Sequence, residues 1–138
     1  MKKTSIAALL FLTISASAIA AEWEVVSAAS TISIEIDKAS IVQQKAGVRK
    51  AWSRFWRHPL QQTPDGQQYS RLMQLSLYNC NDRTIGVMQR HFFNDEKSDS
   101  SVESNHFSPK EIQFDEVIPD SHGDVILNFV CSAKIAKK

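Results

Sequence analysis

The sequence predicts an α+β fold: a small antiparallel β-sheet of about five to six strands, with a C-terminal helix packed on it and one disulfide. Three observations lead there. Apolar and polar residues alternate at Ile32, Ile34 and Ile36, and again at Met73, Leu75 and Leu77, which is the period of strands that bury one face. A nearly continuous apolar run at 125–130 follows residues suited to capping a helix. The only two cysteines, Cys80 and Cys131, lie in the middle and near the end of the chain, where a bond between them would tie the central hairpin to the last ordered segment.

Taken in order, residues 1–21 carry the marks of a secretory leader. Lys2 and Lys3 precede an apolar run at 6–14, and Ala18-Ile19-Ala20 forms a small-residue cleavage site with the cut between Ala20 and Ala21, or one residue later before Glu22. The apolar run is too short for a comfortable span of roughly 20 residues. Residues 22–138 are expected to form a single domain with no integral membrane span. Trp23 to Ala28 reads as a first strand, Ala29 and Ser30 as a turn, and residues 31–37 as the clearest strand of the chain. Residues 38–44 read as a turn away from the sheet, with Ile41 and Val42 packing back onto its edge, before Gly47 punctuates.

Residues 48–57 interleave aromatic and cationic side chains. Read as a strand, they place Val48, Lys50, Trp52, Arg54 and Trp56 on one face, and Arg49, Ala51, Ser53, Phe55 and Arg57 on the other. Ring faces attract guanidinium groups, and either can stack on a flat ligand, so Trp52, Arg54, Trp56 and Arg57, with His58, form the candidate binding patch. The competing arrangement puts Trp52 in the core, Trp56 over a sheet edge and the arginine stems across apolar surface.

Residues 58–68, with Pro59 and Pro64-Asp65-Gly66, read as a loop with a tight turn. Two antiparallel strands follow, at 69–79 and on from Ile85 and Val87 to Phe93, joined by Asn79-Cys80-Asn81-Asp82-Arg83. Residues 94–110, rich in serine and acid, read as a solvated loop with a short pairing near 101–103. Residues 111–118 return to alternation, with Ile112 and Phe114 facing one way, and Pro119 ends them. Asp120 or Ser121 can cap a helix in which Asp124 takes a capping-box-like place. A last strand is the alternative, since Val125, Leu127, Phe129 and Cys131 also alternate. Lys134, Lys137 and Lys138 suit a helix C-terminus.

In an exported chain two cysteines are expected to pair. Closing a loop of about 50 residues contributes up to ~4 kcal/mol in the chain-entropy view. Lys2 and Lys3 fall in the leader, so the other Lys and Arg nearly balance the 15 Asp and Glu. The charge is uneven, however. Basic residues dominate 45–91, where only Asp65 and Asp82 oppose them, and acidic residues dominate 92–124, where only Lys97 and Lys110 do. Mutual neutralisation is the simplest use of such halves.

The features in sequence order resemble the surface-adhesin protein E family of Gram-negative bacteria. The resemblance rests on Trp23 after the leader, Ile34-Glu35-Ile36-Asp37-Lys38-Ala39-Ser40-Ile41, the strand from Val48 to Trp52, the segment 75–83 carrying Cys80, and the close from Ile118-Pro119-Asp120-Ser121 to Val130-Cys131. It implies a small antiparallel sheet whose C-terminal helix is held by the Cys80–Cys131 disulfide, displayed at the cell envelope. Family members are associated with binding host extracellular-matrix proteins and epithelial cells. The adhesin for which the family is named looks like a lipoprotein with a cysteine at its processed terminus. Ala20 and Ala21 stand there in this chain, which fits a soluble periplasmic protein of the same fold.

No catalytic constellation is visible. His58, His91, His106 and His122 are scattered, and the four glycines form no phosphate loop or nucleophile elbow. No enzyme, cofactor or nucleic-acid partner is expected. Nor is a metal, since two histidines such as His91 and His106 are ordinarily just surface residues. The reading is a non-catalytic, adhesin-like envelope binding protein with a protein partner, a host matrix protein or another envelope protein. The alternatives are a periplasmic domain that takes a small flat or anionic ligand on the candidate patch, and an envelope partner that pairs through a sheet edge.

Overall fold

The computed structural model describes residues 20–95, 97 and 99–135. Residues 1–19 of the expected leader lie outside that range, and Ala20 and Ala21 form irregular, exposed chain before the first strand. The alternating segments become strands β1 (Trp23–Ala29) and β2 (Ile32–Asp37), followed by a 3₁₀ turn at Lys38–Ser40. Strands β3 (Val42–Lys45), β4 (Val48–Gln62), β5 (Gln68–Asn79), β6 (Thr84–Phe93), β7 (Glu103–His106) and β8 (Phe114–Glu116) precede the one helix of the described residues, α1 (His122–Ser132). All strands join one antiparallel sheet in the order β1-β2-β4-β5-β6-β7, with β3 added beside β4 and β8 beside β6. The predicted α+β class holds, with six strands along the main path.

The helix forms where its cap is. Ser121 has extended backbone and its hydroxyl accepts the Asp124 amide, while the Asp124 carboxylate accepts the Asp120 amide 3.2 Å away. The alternation that suggested a final strand instead serves a helix that buries Ile126, Leu127 and Val130 against Ile32, Ile34, Ile36, Ala51 and Tyr78. Full burial of each such aliphatic side chain is worth about 1.5–3 kcal/mol. Lys134, which follows the helix, is not what answers its last carbonyls. Arg49 of β4 does so, donating from Nη1 to the Val130 and Ala133 carbonyl oxygens at 2.6 and 2.8 Å. Lys137 and Lys138 lie outside the described residues.

Cys80 and Cys131 form the disulfide, 51 residues apart in sequence, with their Cα atoms 5.7 Å apart. The turn that carries Cys80 reaches the helix a second way, because the Arg83 guanidinium pairs with the Asp124 carboxylate and donates to Asn128 Oδ1. Here the basic and acidic halves of the chain meet. The turn is fixed from below as well. Gly47, at φ +71°, accepts the Cys80 amide through its carbonyl, and a Cβ there would lie 2.3 Å from Asn81 Nδ2.

Four expectations need correction. Residues 42–45 of the expected turn are a strand, pairing with Val48, Arg49 and Lys50; Ile41 is buried as expected, but Val42 is exposed. Residues 58–62 of the expected loop continue β4, past a cis His58–Pro59 bond. Register shifts between Trp56 and Gln61, so Pro59 faces no partner on β5 and its missing N–H costs no ladder bond. The tight turn itself is confined to the residues near Gly66, whose amide bonds the Thr63 carbonyl. In the expected solvated loop, β7 pairs with Gln89–Phe92 through its main chain, which is why its polar sequence gave no apolar signal. The strand expected at 111–118 shortens to β8. Ile112 and Phe114 do face one way, toward Gly86, where a Cβ would lie 2.7 Å from Ile112 Cγ2.

Cys131→Ser should lower stability by up to ~4 kcal/mol in denaturant titrations and open residues after the helix to protease. Equal protease resistance of the oxidised and reduced protein would contradict this. Arg49→Met, which keeps the apolar stem and removes the donors, should cost about 1–3 kcal/mol, with Arg49→Lys recovering part of the loss.

Candidate functional site

Residues directly opposite in an antiparallel ladder share a face, so the registers sort the sheet into two surfaces. On the helix side, Arg49 pairs with Tyr78, Ala51 with Ser76, Ser53 with Gln74 and Phe55 with Leu72. On the other side, Trp52 pairs with Leu75, Arg54 with Met73 and Trp56 with Arg71, and the rows continue to Gln89, His91 and Phe93 of β6. Glu35 of β2 pairs with Arg54 and stands on this second face. The helix packs against the first face only.

A ladder of alternating rings and guanidinium groups crosses the second face. Arg54 Cζ lies 4.2 Å from the Trp23 ring and 5.3 Å from that of Trp56; Arg71 Cζ lies 5.5 Å from Trp56 and 4.1 Å from Phe93. The order Trp23, Arg54, Trp56, Arg71, Phe93 spans β1, β4, β5 and β6. Each contact is worth ~0.5–2 kcal/mol, more as water is excluded. Glu35 fastens its centre. Its Oε2 takes the Arg54 Nε–H and, at 2.8 Å, the Trp56 indole N–H. With four-fifths or more of the Glu35 and Arg54 side chains out of solvent, this pair holds charge that neither partner could carry there alone.

The candidate patch is therefore divided. Trp52, Arg54 and Trp56 share the open face, Arg57 pairs with Ile32 on the opposite face, and His58 is exposed where β4 passes its cis-proline. Trp52 is half-buried and lies outside the helix-side core, its ring 5.9 Å from that of His91. Trp56 sits within the sheet rather than over its edge. Trp56, Arg57 and His58 come together again around a cavity of 270 Å³ beside the β1–β2 turn, which Ser33 and Ser70 also line. The Trp56 ring that lines it is also contacted by Arg54 and Arg71.

The sequence reading missed Trp23, Glu35, Arg71, Phe93 and the histidines as members of this face. The available signal was Glu35, a carboxylate set on the polar side of an otherwise aliphatic strand next to a strand carrying Arg54. Beyond the ladder, the His91 and His106 rings meet edge-on at 5.2 Å. Burial and the neighbouring His106 hold His91 below the usual histidine range. On the helix side, burial pushes the Tyr78 hydroxyl up to about 12, against hydrogen bonds from Ser53 and Ser76 that act the other way. Among the described residues no group of three or more His, Cys, Asp or Glu is placed to hold a metal ion, and no helix is long and apolar enough to cross a membrane.

The sheet is backed on one face by a single disulfide-tethered helix and carries a cation–π ladder on the other. The family model for surface-adhesin protein E matches residues 23–132, and the chain belongs to that family. Its fold is similar to that in the crystal structure of protein E from non-typeable Haemophilus influenzae, with a TM-score of 0.51 at 10% identity, over 83% of this chain and 78% of that one. No curated protein sequence matches.

Glu35→Ala should leave the half-buried Arg54 charge without its carboxylate and the Trp56 N–H without its acceptor. The expected loss is about 2–3 kcal/mol, read from chemical denaturation together with a shift in tryptophan emission. Glu35→Gln should lose less, and a variant as stable as the parent would show that the ladder stands without its anchor.

Proposed function

We propose that this chain is a non-catalytic, exported envelope protein of the adhesin type, cleaved between Ala20 and Ala21, whose residues 22–138 act as one binding domain. Its partner is a protein, of the host extracellular matrix, and the contact surface is the sheet face opposite the helix. The observation that carries this reading is the ladder on a face that no helix covers, in a chain of the surface-adhesin family. Aromatic and arginine side chains held in fixed geometry give large contact area at small entropic cost, which is what protein-binding hot spots use.

The test is binding of the purified domain to immobilised extracellular-matrix proteins, with wild type set against Trp52→Ala and against a helix-side surface control, Val125→Ala. Saturable binding that Trp52→Ala weakens at least tenfold and the control leaves intact is the expected result. Binding unaffected by Trp52→Ala would move the contact off this face. Protease digestion of a C-terminal tag on intact cells should accompany it, since protection until the outer membrane is opened would place the protein in the periplasm.

The periplasmic ligand-binding alternative has one observation in its favour, the 270 Å³ cavity at Trp56, Arg57 and His58. Under that reading, Arg57→Ala would abolish binding of a flat anion without unfolding the domain.

A further inference from the structure

Pairing of β6 with β7 sets His91 opposite Ser104 and His106 opposite Gln89. The two histidines, 15 positions apart in sequence, thereby become diagonal neighbours on the face opposite the helix, with ring centroids 5.2 Å apart and planes at 80°. That spacing is usual for an edge-on ring pair, and it also suits a shared ion. A metal ion bound by one nitrogen of each ring at about 2.0–2.1 Å, with a tetrahedral angle between them, needs centroids about 5 Å apart. The strands hold the two rings edge to face at that separation, and a turn of the exposed His106 side chain would aim one nitrogen of each at a single ion.

The surroundings orient the first ring. His91 Nδ1 lies 2.9 Å from Ser104 Oγ, which is itself 2.7 Å from Ser101 Oγ. When an ion replaces the proton that Nε2 donates to Gln89 Oε1, Nδ1 carries the proton and donates it to Ser104, the arrangement that outer hydrogen bonds impose on metal-binding histidines. Gln89 Oε1 lies 3.4 Å from that Nε2, on the residue that pairs with His106. One imidazole nitrogen and an amide oxygen therefore lie together. His106 is exposed and can turn its ring toward the same point. Such a donor set suits zinc or copper(II), and it is poor for magnesium or calcium, which take oxygen ligands.

We propose that His91 and His106, with Gln89 Oε1 as a third donor, form a surface site for one zinc or copper(II) ion, its remaining positions filled by water. Trp52, 5.9 Å from His91, stands beside the site and reports on its occupancy.

The experiment uses the mature chain without a polyhistidine tag, titrated with copper(II) chloride by tryptophan fluorescence and with zinc chloride by calorimetry. One equivalent of each should bind saturably, copper quenching the emission. His91→Ala and His106→Ala should each weaken the affinity at least tenfold, while His58→Ala and His122→Ala leave it unchanged. Trp52→Phe should remove most of the quenching and keep the zinc heat. Circular dichroism of His106→Ala, a substitution at an exposed position, guards against loss of fold. Absence of saturable binding by both metals would overturn the site, as would equal affinity in the two β6–β7 variants, or loss in His58→Ala or His122→Ala.

Discussion

The long antiparallel ladder between β4 and β5 is the constraint on which both surfaces of this protein depend. Val48 to Trp56 pair without a break against Asn79 to Arg71, in reverse order. One register decides two sets of contacts at once. On the helix side it brings Ser53 of β4 toward the buried Tyr78 hydroxyl, beside Ser76 of Tyr78's own strand. On the other side it brings Arg71 beside Trp56 and leaves Arg54 free to reach Trp23 and Glu35. A slip of one residue would exchange the two faces entirely.

The helix is held by the side chains it buries and by three attachments concentrated near the β5–β6 turn and the start of β4. The disulfide, the Arg83 contacts with Asp124 and Asn128, and the Arg49 bonds to its last carbonyls involve both helix ends. An 11-residue helix is marginal alone. Pinning both ends to a sheet that is already formed removes most of the remaining freedom, and leaves Ile126, Leu127 and Val130 only one place to go.

Elements that owe their existence to side-chain period or capping were legible in the sequence. Ile32, Ile34 and Ile36 announced β2, Met73, Leu75 and Leu77 announced β5, and Ser121 with Asp124 announced the helix. The cysteine pair, too, was legible from its export context. Strands that exist because a neighbour offers free backbone groups were less so: β3 gave no signal and β7 only the short pairing expected near 101–103, since both carry Gln, Lys, Ser and Asn and their identity as strands comes from β4 and β6. The candidate patch was half legible for a related reason. The alternation correctly separated Trp52, Arg54 and Trp56 from Arg57, but which ring meets which guanidinium depends on β1, β2 and β6, at sequence distances that no local pattern encodes. The same holds for His91 and His106, which looked scattered until β7 folded back.

The perimeter of the sheet bears on how the protein behaves among other chains. Along one side, β6 is screened piecemeal, by three residues of β8 and four of β7. Along the other, β3 offers only four residues and β1 is interrupted by a bulge between Val25 and Ser27, with Lys38 clamped to Glu22 and Glu24 beside it. Broken, charged margins of this kind discourage strand-by-strand growth into fibres. The sheet can thus keep a rigid aromatic surface on display while offering neighbouring chains little free backbone to extend.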